Sequence, residues 1–112
     1  YARASRRAEV DADTLMERSR RAAEWLEAYF GVPFPFAAMD AVLAPAFPFG
    51  GMEHVGAILY NETQFVFREP PTLAQRLGRD ATVYHEVAHQ WFGNLVTMRW
   101  FDDLWLKEGF ST

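Results

Sequence analysis

The 112-residue sequence predicts an α/β domain in which a small sheet, drawn from residues 40–67, packs beside helices that carry a cluster of ligating side chains. Three observations lead there. Apolar residues recur at helical spacing over 15–30 and again over 72–92. Between them lie short apolar runs punctuated by Pro, Gly and Asn, the pattern of strands joined by turns. His85-Glu86-Val87-Ala88-His89 falls in the second helical stretch, and Glu108 in a third.

Residues 1–13 (YARASRRAEVDAD) are polar with little period and read as a connector from a preceding segment, Glu9, Asp11 and Asp13 neutralising Arg3, Arg6 and Arg7. Residues 14–112 read as one partial domain. Its first helix is expected from Leu15 to Phe30, with Thr14 and Glu17 as a capping box and Asp13 as the rival cap. Leu15, Ala22, Leu26 and Tyr29 recur at helical spacing, and Gly31 with Pro33 ends the run. Trp25, Tyr29 and Phe30 are expected in the core. A Pro-punctuated connector (31–39) precedes strands expected at 40–44, 54–60 and 64–67, with Asn61-Glu62-Thr63 as the last turn. Pro70-Pro71 breaks the sheet pattern. The next helix is expected from Thr72 to Phe92, weakest at Gly78 and closed by Gly93. Val83, Tyr84, Val87, Ala88, Trp91 and Phe92 give it a wide apolar face. Residues 94–100 connect, with room for a short strand, and Asp102 or Asp103 caps a helix bearing Trp105, Leu106, Glu108 and Phe110.

Composition narrows the function classes. Half of the residues are hydrophobic and 16% aromatic, which suits part of something larger, and the chain opens on Tyr1 rather than Met. Net charge is −4, and the excess of acid falls in residues 40–112, which suits a divalent cation and a cationic substrate end rather than nucleic acid. The absence of Cys excludes disulfides and thiolate metal sites and leaves the redox compartment open. Uncharged runs such as 41–52 and 87–98 fall short of the ~20 residues a membrane helix needs. Neither compartment nor oligomeric state can be read from this segment.

His85 and His89 stand at i and i+4, on one face of a helix, and can offer two imidazole nitrogens to one ion. Glu86 lies about 100° round the helix, placed to hold a water rather than the metal. Glu108 follows His89 after eighteen intervening residues, enough to finish one helix, turn and bring a second alongside. Two His and one Glu with a fourth position open is the ligand set of a catalytic zinc rather than a structural one. A solvated helix with two incidental His is the competing reading, and the apolar surroundings count against it. In Gly50-Gly51-Met52-Glu53-His54 the glycines would let a substrate backbone approach the following strand. Glu53 would face a peptide's free α-ammonium. Alone, that stretch reads equally as a tight turn with a solvated Glu.

Taken together, these motifs resemble the M1 family of zinc aminopeptidases, of the gluzincin group. HEVAHQWFGNLVT (85–97) and WFDDLWLKEGFS (100–111) match its signature closely, and GGMEH is similar to its Gly-x-Met-Glu-Asn exopeptidase motif. YFGVPFPF followed by Asp40 adds to the likeness, which covers most of residues 25–112. The resemblance implies the N-terminal half of a thermolysin-like catalytic domain that binds one Zn²⁺ and acts on peptides with a free N-terminus. It implies His85, His89 and Glu108 as zinc ligands, Glu86 as general base, and Glu53 as the amine-binding residue. Gly50, Gly51 and Met52 would line the substrate cleft. His54 stands where the family usually has an Asn that makes a contact near the first substrate residue. The family's oxyanion-stabilising Tyr lies beyond Thr112, and neither Tyr60 nor Tyr84 is at the matching place. The rival readings are a gluzincin endopeptidase or other zinc hydrolase, and a non-catalytic module of the same fold.

Overall fold

The structure is a computed structural model and describes residues 1–112. Its first regular element is a 3₁₀ turn at Ala4–Glu9. The backbone N–H of Leu43 donates to the carbonyl of Tyr1 (2.8 Å), and Arg3 forks onto the buried Glu62 through Nε (2.8 Å) and Nη2. The N-terminal segment is thus tied to the sheet by main chain and by charge. Helix α1 runs Ala12–Phe30, three residues longer at its start than expected. Its cap is Asp11, whose carboxylate accepts from Thr14 N–H (3.2 Å), so neither Thr14 nor Asp13 begins it. Val10 forms an isolated antiparallel bridge with Val66, and the chain turns into α1 at the next residue. Gly31 ends the helix in the left-handed region (φ 65°), where its N–H closes on Glu27 O at 2.9 Å.

The sheet has three strands in the order β1-β3-β2: β1 Asp40–Ala44, β2 Gly51–Met52 and β3 Ala57–Asn61. β1 and β3 are parallel, with Val42 opposite Leu59, and β2 is antiparallel to β3, with Gly51 opposite Tyr60. Two expectations fail here. The strand expected over 54–60 starts only at Ala57, because His54 O accepts from Ala57 N (3.0 Å) in a turn through Gly56 at φ 68°. The strand expected over 64–67 is instead a single helical turn, α2, Glu62–Phe65. Asn61 causes this: its side chain accepts from both Thr63 N–H (3.0 Å) and Thr63 Oγ1 (2.7 Å), curling the chain out of the sheet.

Helix α3 spans Leu73–Ala88, unbroken at Gly78, and begins with a full capping box between Thr72 and Gln75. It stops four residues before Phe92, yet His89 at its C-terminal boundary keeps helical dihedrals and its N–H still reaches His85 O (3.2 Å). The i, i+4 relation therefore survives the helix end. A tight connection follows, with Gly93 at φ 125° and one parallel bridge between Phe92 and Val96. A 3₁₀ turn (Phe101–Asp103) leads into helix α4, Leu104–Phe110.

The core lies between α1, α3 and the sheet. Leu15, Ala22 and Leu26 meet Val83, Val87 and Trp91, over Ile58, Tyr60 and Phe65. Trp25 and Tyr29, expected in this core, are 62% and 68% exposed. They stack on each other (centroids 4.9 Å apart) on the flank of α1, because the buried stripe Leu15, Ser19, Ala22, Leu26 already faces α3. No helix is long and apolar enough to cross a membrane.

Candidate metal centre

The last turn of α3 and the body of α4 meet at three side chains. His85 Nε2 and His89 Nε2 are 3.0 Å apart. Glu108 Oε2 stands 3.4 Å from the first and 3.6 Å from the second. Two helices so far apart in sequence thus aim three ligand atoms at one point. His89 is nearly inaccessible (1%), whereas Glu108 is half exposed, so the point lies at a cleft floor open on one side. The tautomer of His89 follows from chemistry. Its Nδ1 lies 2.9 Å from the carbonyl oxygen of Phe92, which can only accept, so Nδ1 carries the proton and Nε2 presents a lone pair. Ser111 Oγ also lies 2.9 Å from Nδ1 and donates to Lys107 O (3.0 Å), tying α4 to the imidazole.

Glu86 is 5% exposed, and its Oε2 has no hydrogen-bond partner. Burial, and then the charges of Glu53 and Glu108, push its carboxyl up to about 8, partly offset by Lys107. Gly51 makes room for it: a Cβ there would overlap the Glu86 carboxyl. This glycine is therefore required by the protein's own side chain, whatever a substrate also needs. Glu53 follows two residues on. Burial works against its charged form, but the hydrogen bond from Lys107, reinforced by the Lys107 charge, holds the carboxyl below the usual range. Burial alone would lower Lys107, yet Glu53 and Glu108 hold it above its ordinary value. His89 is depressed, chiefly by burial, against the opposing bond to Phe92 O.

These groups line a cleft of about 1320 Å³, which also takes in Gly50, Gly51, Met52 and the exposed pair Trp25 and Tyr29. His54 is exposed and is not part of the lining. Sequence reasoning assigned no role to four residues that the fold brings to the site. The Glu53 carbonyl accepts from Asn94 Nδ2 (2.6 Å) and from the fully buried Gln90 Nε2 (3.4 Å), which fixes the strand end carrying Glu53. Lys107 and Ser111 are the others. All four lie inside the two stretches 85–97 and 100–111 that carried the resemblance, but residue type alone did not mark them.

The chain is 43% identical to aminopeptidase N of Streptomyces lividans across all of its own length, which is 13% of that protein. It is 44% identical to endoplasmic reticulum aminopeptidase 1 of Homo sapiens over 89% of this chain and 11% of the relative. With aminopeptidase M1 of Arabidopsis thaliana it shares 51% over 75% of this chain and 10% of the relative. The chain therefore spans between about a tenth and an eighth of the length of these curated relatives. Residues 14–112 match the model of the peptidase family M1 domain, and on that match and those identities the chain belongs to peptidase family M1.

Proposed function

We propose that this chain is the metal-binding part of a thermolysin-like catalytic domain in a zinc aminopeptidase, with His85, His89 and Glu108 as ligands of one Zn²⁺. The observation that carries the reading is the triangle of ligand atoms, with edges of 3.0, 3.4 and 3.6 Å. Donors about 2.0–2.2 Å from a tetrahedral zinc are separated by roughly 3.3–3.6 Å; the two edges to Glu108 fall in that range, and the edge between the two imidazoles is shorter by about 0.3 Å. The fixed tautomer of His89 and the open side of the cleft fit a catalytic rather than a closed structural site.

Zinc held by His85, His89 and Glu108 would supply Lewis acidity, lowering the pKa of a water there to about 7 and polarising the scissile carbonyl. The chain's own residues do the rest. Glu86 Oε2, buried and unpartnered, takes the proton of the attacking water and passes it to the departing amine. Burial and the charges of Glu53 and Glu108 raise the proton affinity of that carboxylate, which favours its taking a proton. Glu53 pairs with the α-ammonium of an extended peptide lying along Gly50-Gly51-Met52, and so limits cleavage to the first peptide bond.

Three measurements on the full-length protein test this. Metal analysis after dialysis is expected to find one zinc per chain, and a metal-free protein would favour a non-catalytic module. Glu86→Gln is expected to keep zinc and lose about 10²–10⁴-fold in kcat. A peptide and its N-acetylated form are expected to differ sharply as substrates; equal cleavage points to an endopeptidase instead.

A further inference from the structure

The proposed amine-binding carboxylate is already engaged by an ammonium of the chain itself. Lys107 Nζ is ion-paired with Glu53 Oε1 and lies 3.6 Å from Glu108 Oε1. The Lys107 side chain is 20% exposed, so it belongs to the cleft wall rather than to bulk solvent. Its stem is packed closely: a Cβ on Gly93 would lie 3.0 Å from Lys107 Cγ. A peptide's α-ammonium carries the same charge and the same three donors as Lys107 Nζ. Two ammonium groups cannot share one partly buried carboxylate at close range without repelling each other.

We propose that Lys107 is an internal competitor that sets the affinity of the amine site. Its ammonium stands in for that of the substrate and is displaced from Glu53 when a free N-terminus binds. This rests on the reading of Glu53 as the amine-binding residue. Between substrates, Lys107 keeps the 9%-exposed Glu53 from being left as an unpaired buried charge. Binding is then an exchange of one ammonium for another, which weakens the affinity for every free-amine ligand. The second carboxylate, that of Glu108, gives the displaced Nζ a place to go without leaving the cleft.

The test uses the full-length protein and leucinol, an amino alcohol with a free α-ammonium and no bond to hydrolyse, with N-acetylleucinol as control. Lys107→Met keeps the stem and removes the charge. Calorimetry on the metal-free protein is expected to show leucinol binding about three- to tenfold tighter in Lys107→Met than in wild type, with N-acetylleucinol unchanged. KM for leucine p-nitroanilide is expected to fall by a similar factor in the zinc-loaded enzyme. If Lys107→Met loses its thermal transition, Lys107→Gln, which leaves Glu53 a neutral donor, carries the same expectation. Leucinol affinity that is unchanged or weaker in the folded variant overturns the proposal. Glu53→Gln separates the two readings. If it weakens leucinol at least tenfold while the Lys107 variant gains nothing, only the role of Lys107 fails. If it leaves leucinol affinity untouched, the amine-site reading itself fails.

Discussion

At the scale of single residues, the site depends on atoms that leave room and atoms that fix direction. Gly51 is the first kind. Gly51→Ala would drive a methyl into the Glu86 carboxyl, and the side chain or strand β2 must shift. The expected result is about 1–3 kcal/mol of destabilisation by overpacking, with a fall in kcat of tenfold or more from misplacing the proposed base. Thermal unfolding read beside kcat checks it, and a fully active Gly51→Ala enzyme would show that Glu86 has space the geometry denies. Ser111 is the second kind. Ser111→Ala leaves His89 Nδ1 with Phe92 O alone. Zinc affinity, measured by competition with a chelator, is expected to drop by about tenfold, the low end of what outer ligand-orienting groups contribute, because one of two partners remains.

Elements decide where those residues end up. α3 can carry His85 and His89 only if its register is secure, and its start is held by the reciprocal pair Thr72 and Gln75. Thr72→Ala is expected to remove about 1 kcal/mol, seen as a lower urea midpoint at unchanged slope. The N-terminal segment depends on charge instead. The Arg3 hydrogen bond, helped by the charges of Arg3 and Arg6, holds Glu62 below the usual carboxylate range. A carboxyl whose folded pKa is depressed stabilises above its unfolded value and stops doing so as pH falls through the folded one. Hydrogen exchange is accordingly expected to show residues 1–10 well protected at neutral pH and freed as pH falls below about 4.5, ahead of α3. Protection that persists in acid would assign the attachment to Leu43 N–H and the Val10–Val66 bridge alone.

For the whole molecule, the telling feature is apolar surface left uncovered. Trp25, Tyr29, Trp100, Phe101, Trp105 and Phe110 are each 58% exposed or more, more large aromatic surface than a small monomer usually leaves in water. A polypeptide of residues 1–112 alone is expected to bind a hydrophobic dye strongly and to self-associate, as size-exclusion chromatography at two concentrations would reveal. It is also expected to turn over peptides poorly, because neither Tyr60 nor Tyr84 is at the place of the oxyanion-stabilising Tyr that the family resemblance implies. A monomeric, dye-silent and fully active 112-residue protein would contradict both expectations.

What could be read from the chain alone was whatever depends on short-range spacing. The i, i+4 histidines, the eighteen residues to Glu108, the Thr72 and Gly31 boundaries and the strand at 40–44 each follow from local periodicity and capping chemistry. Periodicity does not say which flank of a helix finds a neighbour, so Trp25 and Tyr29 were expected in the core. It does not weigh an Asn cap against a strand pattern, so residues 64–67 were expected in the sheet. Only the tertiary structure could bring Lys107 onto Glu53, Asn94 and Gln90 under its carbonyl, and Glu86 against the bare backbone of Gly51. Those contacts join β2, α3 and α4, and contacts between separate elements leave no repeat in a sequence.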